Sequence, residues 1–201
     1  MLSSSKLVGS SPELGRVEND FYATAPIDTR NFLNQLSSDY ECSKEKVLTI
    51  LEPAAGAGHI IDVLKEFYPD AYIHGSDIIS RRSDIIGETN FLTSEFDNFD
   101  LVITNPPFSL AKEFIDKSFL ISNRYVIMFA RLVFLEGTTR QKWFKSLPLK
   151  YVYVYSYRAT PYRNGEKFDS NGKKWANTVA YAWYVFDKTY FGEPKIRWIG
   201  K

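Results

Sequence analysis

The chain has 201 residues, a formal net charge of +1 and 44% hydrophobic residues, a size typical of one domain. No apolar run approaches the roughly 18 residues that a membrane-spanning helix needs. A single cysteine excludes an internal disulfide, and one cysteine with two histidines supplies too few ligands for a structural zinc site. We therefore expect a cytoplasmic protein without a disulfide, a metal or a membrane span.

The charge is distributed unevenly along the chain. Residues 1–123 hold 10 Lys or Arg and 19 Asp or Glu, a net of −9, whereas residues 124–201 hold 15 and 5, a net of +10. Tyrosines and tryptophans are interspersed among the basic residues of the second part. Because basic side chains neutralise phosphates and aromatic rings stack on bases, this pattern favours a nucleic-acid surface. The alternative is a soluble domain whose surface charge is simply uneven.

Predicted strands and helices alternate along most of the chain, after a serine-rich segment, 1–18, that predicts a disordered leader. Short apolar runs predict strands over 46–51, 71–78, 99–105, 124–130, 150–157 and 177–187. Helical periodicity predicts helices over 59–68, 109–121 and 135–147. The last two strands have no helix between them. We therefore expect one α/β domain over 19–201, a mostly parallel Rossmann-like sheet with an antiparallel edge strand and helices on both faces.

A glycine-rich loop, Glu52-Pro-Ala-Ala-Gly-Ala-Gly58, joins the first of these strands to the first helix. Gly56 and Gly58 permit a tight turn, but the loop departs from the G-x-G-x-x-G pattern that cradles a pyrophosphate. Glu52 would repel phosphate and attract the sulfonium and ammonium groups of S-adenosylmethionine. Asp77 ends the next strand, where a carboxylate can accept both ribose hydroxyls. These residues predict a nucleoside cofactor; a turn that binds nothing is the alternative.

The third strand ends in Asn105-Pro106-Pro107-Phe108. The two prolines stiffen the loop and remove backbone donors, so that the Asn105 side-chain oxygen and the Pro106 carbonyl are offered as acceptors. Two such acceptors can hold an exocyclic –NH₂ group with its lone pair toward a methyl donor, while Phe108 stacks on the ring. A base in a duplex must be flipped out to reach this loop. The alternative is a proline-rich turn with Phe108 in the core.

Together these motifs resemble S-adenosylmethionine-dependent amino-group methyltransferases, in particular the small DNA adenine-N6 methyltransferases of phages and prophages. The resemblance covers nearly all of the chain after residue 18. Its segments are NDFYATAP (19–26), LEPAAGAG (51–58), GSDI (75–78), NPPF (105–108), ARLVFLEGTTRQKWF (130–144) and NTVAYAWYVFDKTYFGEPKIRWI (177–199). It implies a class I methyltransferase fold and methylation of the N6 amino group of adenine in DNA by base flipping and direct transfer.

The resemblance also implies roles for individual residues. The catalytic residues would be Asn105, Pro106, Pro107 and Phe108. The cofactor would be bound by Tyr22, Thr24, Glu52, Ala54, Gly56, Gly58, Asp77, Ile78, Asn90, Phe91 and Asn105. The family often has Asp where this chain has Asn90, whose amide oxygen can still accept a hydrogen bond from the adenine amine of the cofactor.

A separate target-recognition domain is not expected, which leaves the basic C-terminal part to hold DNA. The loop 156–174 would contact the DNA, and Tyr162 would place a second ring against the flipped base, unless it is only a surface tyrosine. We expect a monomeric, adenine-specific DNA methyltransferase of the phage or restriction-modification type. The alternatives are methylation of an RNA base or a protein glutamine by the same loop, and a non-catalytic module that binds DNA or a partner.

Overall fold

The apolar runs and periodic segments of the sequence form a layered α/β structure. The structure is a computed structural model that describes residues 21–39 and 47–201, so the proposed leader, 1–18, lies outside the described residues. In chain order the elements are β1 (Tyr22–Ala23), α1 (Pro26–Ser38), β2 (Thr49–Glu52), α2 (His59–Phe67), β3 (Tyr72–Gly75), β4 (Phe99–Thr104), α3 (Ala111–Ile121), β5 (Ser122–Arg131), α4 (Thr138–Lys145), β6 (Leu149–Tyr155), β7 (Tyr162–Arg163), β8 (Tyr181–Asp187) and β9 (Lys195–Ile199). Two short 3-10 turns, Phe108–Leu110 and Leu132–Leu135, precede α3 and α4.

Among the described residues, seven strands form one mixed sheet in the order β3-β2-β4-β5-β8-β6-β9. Strands β3, β2, β4 and β5 are parallel, β8 runs antiparallel to both of its neighbours, and β9 is parallel to β6. The predicted Rossmann-like, mostly parallel sheet is therefore confirmed. Its antiparallel strand, however, lies inside the sheet rather than at the edge. The sequence patterns do not predict β9, which pairs beyond β6 and takes the edge position.

Helices cover both faces of the sheet, as predicted. Leu101 and Ile103 of β4 pack into one core with α1 and α2, whereas Val102 packs into a second core with α3 and α4. All seven residues of β8 are buried, which explains why its sequence is apolar or aromatic from Tyr181 to Phe186 rather than alternating. Helix α1, which the patterns do not predict, stacks Phe32 on Trp183 of β8 with ring centroids 4.5 Å apart. The helix therefore closes the first core.

The carboxyl ends of the parallel strands meet at one edge of the sheet. Glu52 ends β2, Asn105 follows β4, and Arg131 ends β5. Register pairing places Glu52 opposite Gly75, the last residue of β3, two residues before Asp77. In open α/β sheets this edge is where ligands bind. The motifs that are distant in sequence are thus collected at one place by parallel strand pairing.

A small second sheet covers part of this edge. Strand β1 pairs antiparallel with β7, with Tyr22 opposite Arg163 and Ala23 opposite Tyr162. Asp28, in the first turn of α1, accepts a hydrogen bond from the Tyr157 hydroxyl at 2.9 Å. Two independent sets of contacts therefore hold the N-terminal segment against the 156–163 part of the chain.

Within the described residues, helices are short: α1, with 13 residues, exceeds the others given above. No helix in this part of the chain is long and apolar enough to cross a membrane. The same residues contain no group of three or more His, Cys, Asp or Glu side chains that could hold a metal ion.

Candidate active site

A pocket opens over the carboxyl ends of β2, β3 and β4. Most of the residues predicted to bind the cofactor line it: Tyr22, Thr24, Glu52, Ala54, Asp77, Ile78, Asn90, Phe91 and Asn105, together with Pro107. The other predicted residues, Gly56, Gly58, Pro106, Phe108 and Tyr162, lie outside its wall. The sequence analysis does not single out Phe21, His59, Arg81, Thr89 and Leu110, which also line the pocket. Phe21 belongs to the segment 19–26 without having been assigned a role, and the other four lie outside the sequence motifs.

Glu52 is a deeply buried carboxyl group of this pocket. Only 1% of the residue is exposed, and its Oε2 atom has no hydrogen-bond partner within the described residues. Burial raises the pKa of the carboxyl well above its usual value, and the nearby Asp77 raises it further. A buried carboxylate is costly unless a cation or donor satisfies it. The residue is therefore suited to a cationic ligand and poorly suited to a phosphate.

Asp77 is 7% exposed, and its carboxylate already holds the glycine loop in place. One oxygen accepts the Gly56 N–H at 2.7 Å, and the other accepts the Ile79 N–H and an Arg81 N–H, both at 2.9 Å. The Arg81 guanidinium also lies 4.0 Å from the centroid of the Phe21 ring. A ligand with hydroxyl groups at this carboxylate would share it with Arg81 or displace that side chain.

The glycine loop turns as its sequence predicts. Gly56 and Gly58 have φ angles of +56° and +83°, in the left-handed region that favours glycine. The space beside them is filled by other side chains of this protein: a Cβ on Gly56 would collide with the Phe21 ring, and one on Gly58 with the Arg82 guanidinium. Because these two glycines have no side chain, Phe21 and Arg82 can pack directly against the loop and support it.

Two more polar atoms of the pocket residues are buried without a partner in the described part of the chain. They are the hydroxyl of Thr24, a residue that is 2% exposed, and Nδ1 of His59. Burial lowers the pKa of His59, so the imidazole is neutral at pH 7. Buried polar groups are nearly always satisfied in proteins. Together with Glu52 they offer a cradle for a ligand that has both donors and acceptors.

Asn90 and Phe91 form the far wall of the pocket. The Asn90 side-chain oxygen accepts the Leu92 N–H at 3.0 Å, which leaves it one further lone pair. Phe91 is buried and packs on Phe114 with centroids 4.9 Å apart. Ile78, across the pocket, is 57% exposed. This wall is apolar except for the Asn90 amide, a combination that suits a planar heterocycle with a polar substituent.

The orientation of the Asn105 amide is fixed by the N-terminal segment. Its Nδ2 donates a hydrogen bond to the backbone carbonyl of Tyr22 at 2.5 Å. A carbonyl only accepts, so the amide nitrogen must face Tyr22 and the side-chain oxygen must point elsewhere. The oxygen of Asn105 is thereby kept as an acceptor, which is the role that the sequence predicts for it.

The Asn-Pro-Pro-Phe loop separates the pocket from a second groove. Pro106 is buried, Pro107 lines the pocket, and Phe108 lines the groove instead. The Phe108 ring lies 5.9 Å from the Tyr22 ring at 27° and 5.8 Å from the Tyr181 ring. Phe108 is thus partly buried and held among aromatic neighbours.

Tyr162 lies in β7, half-buried, with its ring perpendicular to that of His59 at 5.8 Å. It sits beside the pocket wall, so its contact with an acceptor base stays a prediction. The segment 163–175 beyond it folds back on itself, with Phe168 paired to Lys174 and the Trp175 indole donating to the Glu166 carbonyl at 2.6 Å. The predicted DNA-contacting loop is therefore an ordered, basic projection.

No protein-family model and no curated protein sequence matches the chain. Solved structures do. A putative class I S-adenosylmethionine-dependent methyltransferase from Listeria monocytogenes aligns with TM-score 0.61 and 13% identity over 87% of this chain and 65% of its own. A type I restriction-modification methyltransferase subunit from Streptococcus thermophilus aligns with TM-score 0.61 and 12% identity over 90% of this chain and 47% of its own.

A third structure, the DrdV–DNA complex, aligns with TM-score 0.56 and 13% identity over 90% of this chain and 27% of its own. The chain thus spans about two thirds, half and a quarter of these three proteins. At such identities the similarity speaks for the fold alone. The chain has the fold of the class I S-adenosylmethionine-dependent methyltransferases.

Proposed function

We propose that this protein transfers a methyl group from S-adenosylmethionine to the exocyclic N6 amino group of adenine in DNA. The observation that carries the proposal is the Asn105 amide, whose nitrogen is held by the Tyr22 carbonyl so that its oxygen remains an acceptor. The proposal includes a monomeric enzyme of the phage or restriction-modification type that acts in a bacterial cytoplasm. The proposal is supported by the fold that the chain shares with a restriction-modification methyltransferase subunit and with the protein of the DrdV–DNA complex.

The residues of the pocket fit the proposed cofactor. Oε2 of Glu52, which has no partner in the described residues, would hold its ammonium group, and Asp77 would accept the ribose hydroxyls in place of Arg81. The Thr24 hydroxyl, also without a partner in that part of the chain, would donate to the carboxylate at the methionine end. Phe91 and Asn90 would hold the adenine ring and its amine. When bound, S-adenosylmethionine supplies an electrophilic methyl group.

The chain's own part in the reaction is to hold the acceptor amine. The Asn105 oxygen and the Pro106 carbonyl would each accept one N–H, which localises the lone pair on nitrogen. Both acceptors also stabilise the positive charge that develops on that nitrogen, and its proton then passes to solvent. Phe108 would stack on the base. Positioning and electrostatics account for this step without a strong base.

The test is methyl transfer from isotope-labelled cofactor to DNA, RNA and protein acceptors, followed by identification of the modified base. Asn105→Ala should lower transfer to DNA about 10²- to 10³-fold, because one preorganised acceptor is lost. Cofactor affinity, measured by calorimetry, should fall much less than methyl transfer, because the other residues of the pocket stay in place.

The matched control is Asn98→Ala, an exposed residue just before the same strand, β4, which should keep full activity. Full activity of Asn105→Ala would refute the role of the loop. If the label appeared in RNA or in a glutamine side chain, that molecule and not DNA would be the acceptor. If the protein bound no cofactor, it would be a non-catalytic module.

A further inference from the structure

Two arginines beside the Asn-Pro-Pro-Phe loop differ from most others in the protein. Among the described residues, five arginines form ion pairs with carboxylates: Arg30 with Glu66, Arg81 with Asp77, Arg82 with Asp62 and Asp84, Arg124 with Asp187, and Arg197 with Asp39. Within the described residues, Arg131 and Arg140 pair with no carboxylate. Both instead pack against aromatic rings near the second groove.

Arg131 ends β5 and lies against the catalytic loop. Its guanidinium carbon is 4.6 Å from the centroid of the Phe108 ring. Its Nε atom is buried, and it has no hydrogen-bond partner in the described part of the chain. A half-buried cation with an unsatisfied donor and no counter-charge is costly. Such a cation points to an anionic ligand, since the described residues provide no carboxylate for it.

Arg140 lies in the first turn of α4 and forms part of the groove. Its Nε donates to the Glu136 carbonyl at 2.6 Å, and its guanidinium lies 5.6 Å from the Phe134 ring. The other groove residues are Phe108, Ser109, Ala111, Lys112, Glu113, Phe134, Gly137, Thr138 and Thr139. The hydroxyl and cationic side chains of the groove outnumber its single carboxylate, Glu113. Aromatic rings and hydroxyls therefore surround the Arg140 guanidinium, whose orientation is fixed by its hydrogen bond to the backbone.

We propose that Arg131 and Arg140 bind backbone phosphates of the nucleic-acid strand that carries the target base. The planar guanidinium forms paired hydrogen bonds to phosphate oxygens, and packing on Phe108 and Phe134 fixes the plane in advance. The phosphates supply the missing negative charge. This inference rests on the proposed function, which it extends by naming the residues that hold the acceptor strand.

The location favours a nucleic-acid strand over an acidic peptide. Phe108 is the wall shared by the catalytic loop and this groove, so a ligand in the groove lies next to the place where the base would enter. The residues from 124 onward carry a net charge of +10, which supplies a longer cationic surface for a strand to follow. Base stacking and phosphate contacts in one groove are typical of strand binding.

The experiment measures binding of a short fluorescein-labelled DNA duplex by anisotropy over a series of salt concentrations. Arg131→Gln and Arg140→Gln should each weaken binding about tenfold and flatten the slope of log K against log salt by about 0.9, the value for one phosphate contact. The double variant should lose about twice that slope. Arg30→Gln is the control. This variant removes the same charge, but Arg30 pairs with Glu66 of α2, on the opposite face of the sheet.

Cofactor affinity by calorimetry serves as the fold check, and unchanged affinity shows that each variant is intact. A double variant that binds DNA with the wild-type slope overturns the inference, as does a wild-type protein that binds no nucleic acid. Tight binding of an acidic peptide that the variants lose would also overturn it. Failure of the proposed function looks different: no methyl reaches DNA, while the arginine variants still lose their DNA binding.

Discussion

The two sides of the Asn-Pro-Pro-Phe loop present ionisable groups of opposite type, carboxyls on one side and guanidinium groups on the other. On the pocket side Glu52 and Asp77 are buried carboxyls, and the arginines nearby, Arg81 and Arg82, are neutralised by acidic partners. On the groove side Arg131 and Arg140 have no carboxylate partner in the described residues. Under the proposed function, the difference would let one loop bring together a cationic donor and an anionic acceptor. Each of these ligands would then be attracted to its own side of the loop.

The two sides also differ in how deeply the charge is buried. The Glu52 carboxyl is almost inaccessible, whereas Arg131 is only half-buried and Arg140 borders an open groove. Electrostatic interactions are stronger away from water and less screened by salt. We therefore expect cofactor binding to depend on single carboxyls and little on ionic strength. Acceptor binding should depend on several cations and strongly on salt.

The largest effect on the pocket side is expected for Asp77→Asn. The neutral amide would lose the ion pair with Arg81. Its NH₂ group would also face a backbone N–H that now donates a hydrogen bond to the carboxylate, which would place two donors against each other. Hydrogen bonds to a charged group contribute roughly 2 kcal/mol, so cofactor affinity should fall about 30-fold. Calorimetric titration with S-adenosylhomocysteine measures the change.

Asp70→Asn is the matched control for that variant, since Asp70 is exposed and precedes β3 at its opposite end. It should bind the cofactor like wild type. The comparison of the two sides would be broken if Asp77→Asn changed the salt slope of DNA binding and left cofactor affinity intact.

An intermediate effect is expected for Glu52→Gln, which should weaken cofactor binding about tenfold, or roughly 1.4 kcal/mol, by removing the negative charge. Without ligand, the same variant should be more stable than wild type at neutral pH. Because burial raises the pKa of Glu52 above its usual 4.5, the folded protein favours the protonated form, and its stability falls as pH rises above that value.

Thermal melts across pH give the sign of this effect. The advantage of Glu52→Gln should be smallest below pH 4.5, the usual pKa, and should grow as pH rises. Cofactor binding to wild type should release a proton near the pKa of Glu52, and binding to the variant should not. A variant that is equally stable at every pH would show that Glu52 is not strained by burial.

The smallest effect is expected for a pair of glycine substitutions. Gly56 and Gly172 have φ angles of +56° and +72°, but only a Cβ at Gly56 would meet another side chain, the Phe21 ring. Gly172→Ala should cost about 1 kcal/mol of unfolding free energy, from backbone strain alone. Gly56→Ala should cost roughly twice that and weaken cofactor binding a few-fold. Equal losses in chemical denaturation would show that Phe21 does not brace the loop.

Strong local patterns predicted most of the fold. The strands over 99–105 and 124–130 and the helix over 59–68 are present with ends shifted by a few residues. Helix α1 and strand β9 escaped prediction for different reasons. The core side of α1 rests on a few side chains such as Phe32 and Leu33 in an otherwise polar segment, and β9 exposes Ile196 and Trp198, as edge strands with one open face do.

Within the site, the sequence alone determined what depends on backbone chemistry and residue type. Left-handed turns favour glycine, as at Gly56, and proline stiffens an acceptor loop, as at Pro106. Tertiary structure alone decided which way the Asn105 amide points, that Asp77 is shared with Arg81, and that Arg131 lies over Phe108. These features join residues far apart in the chain, and only the packing of β5 and the N-terminal segment around β4 brings them within contact distance.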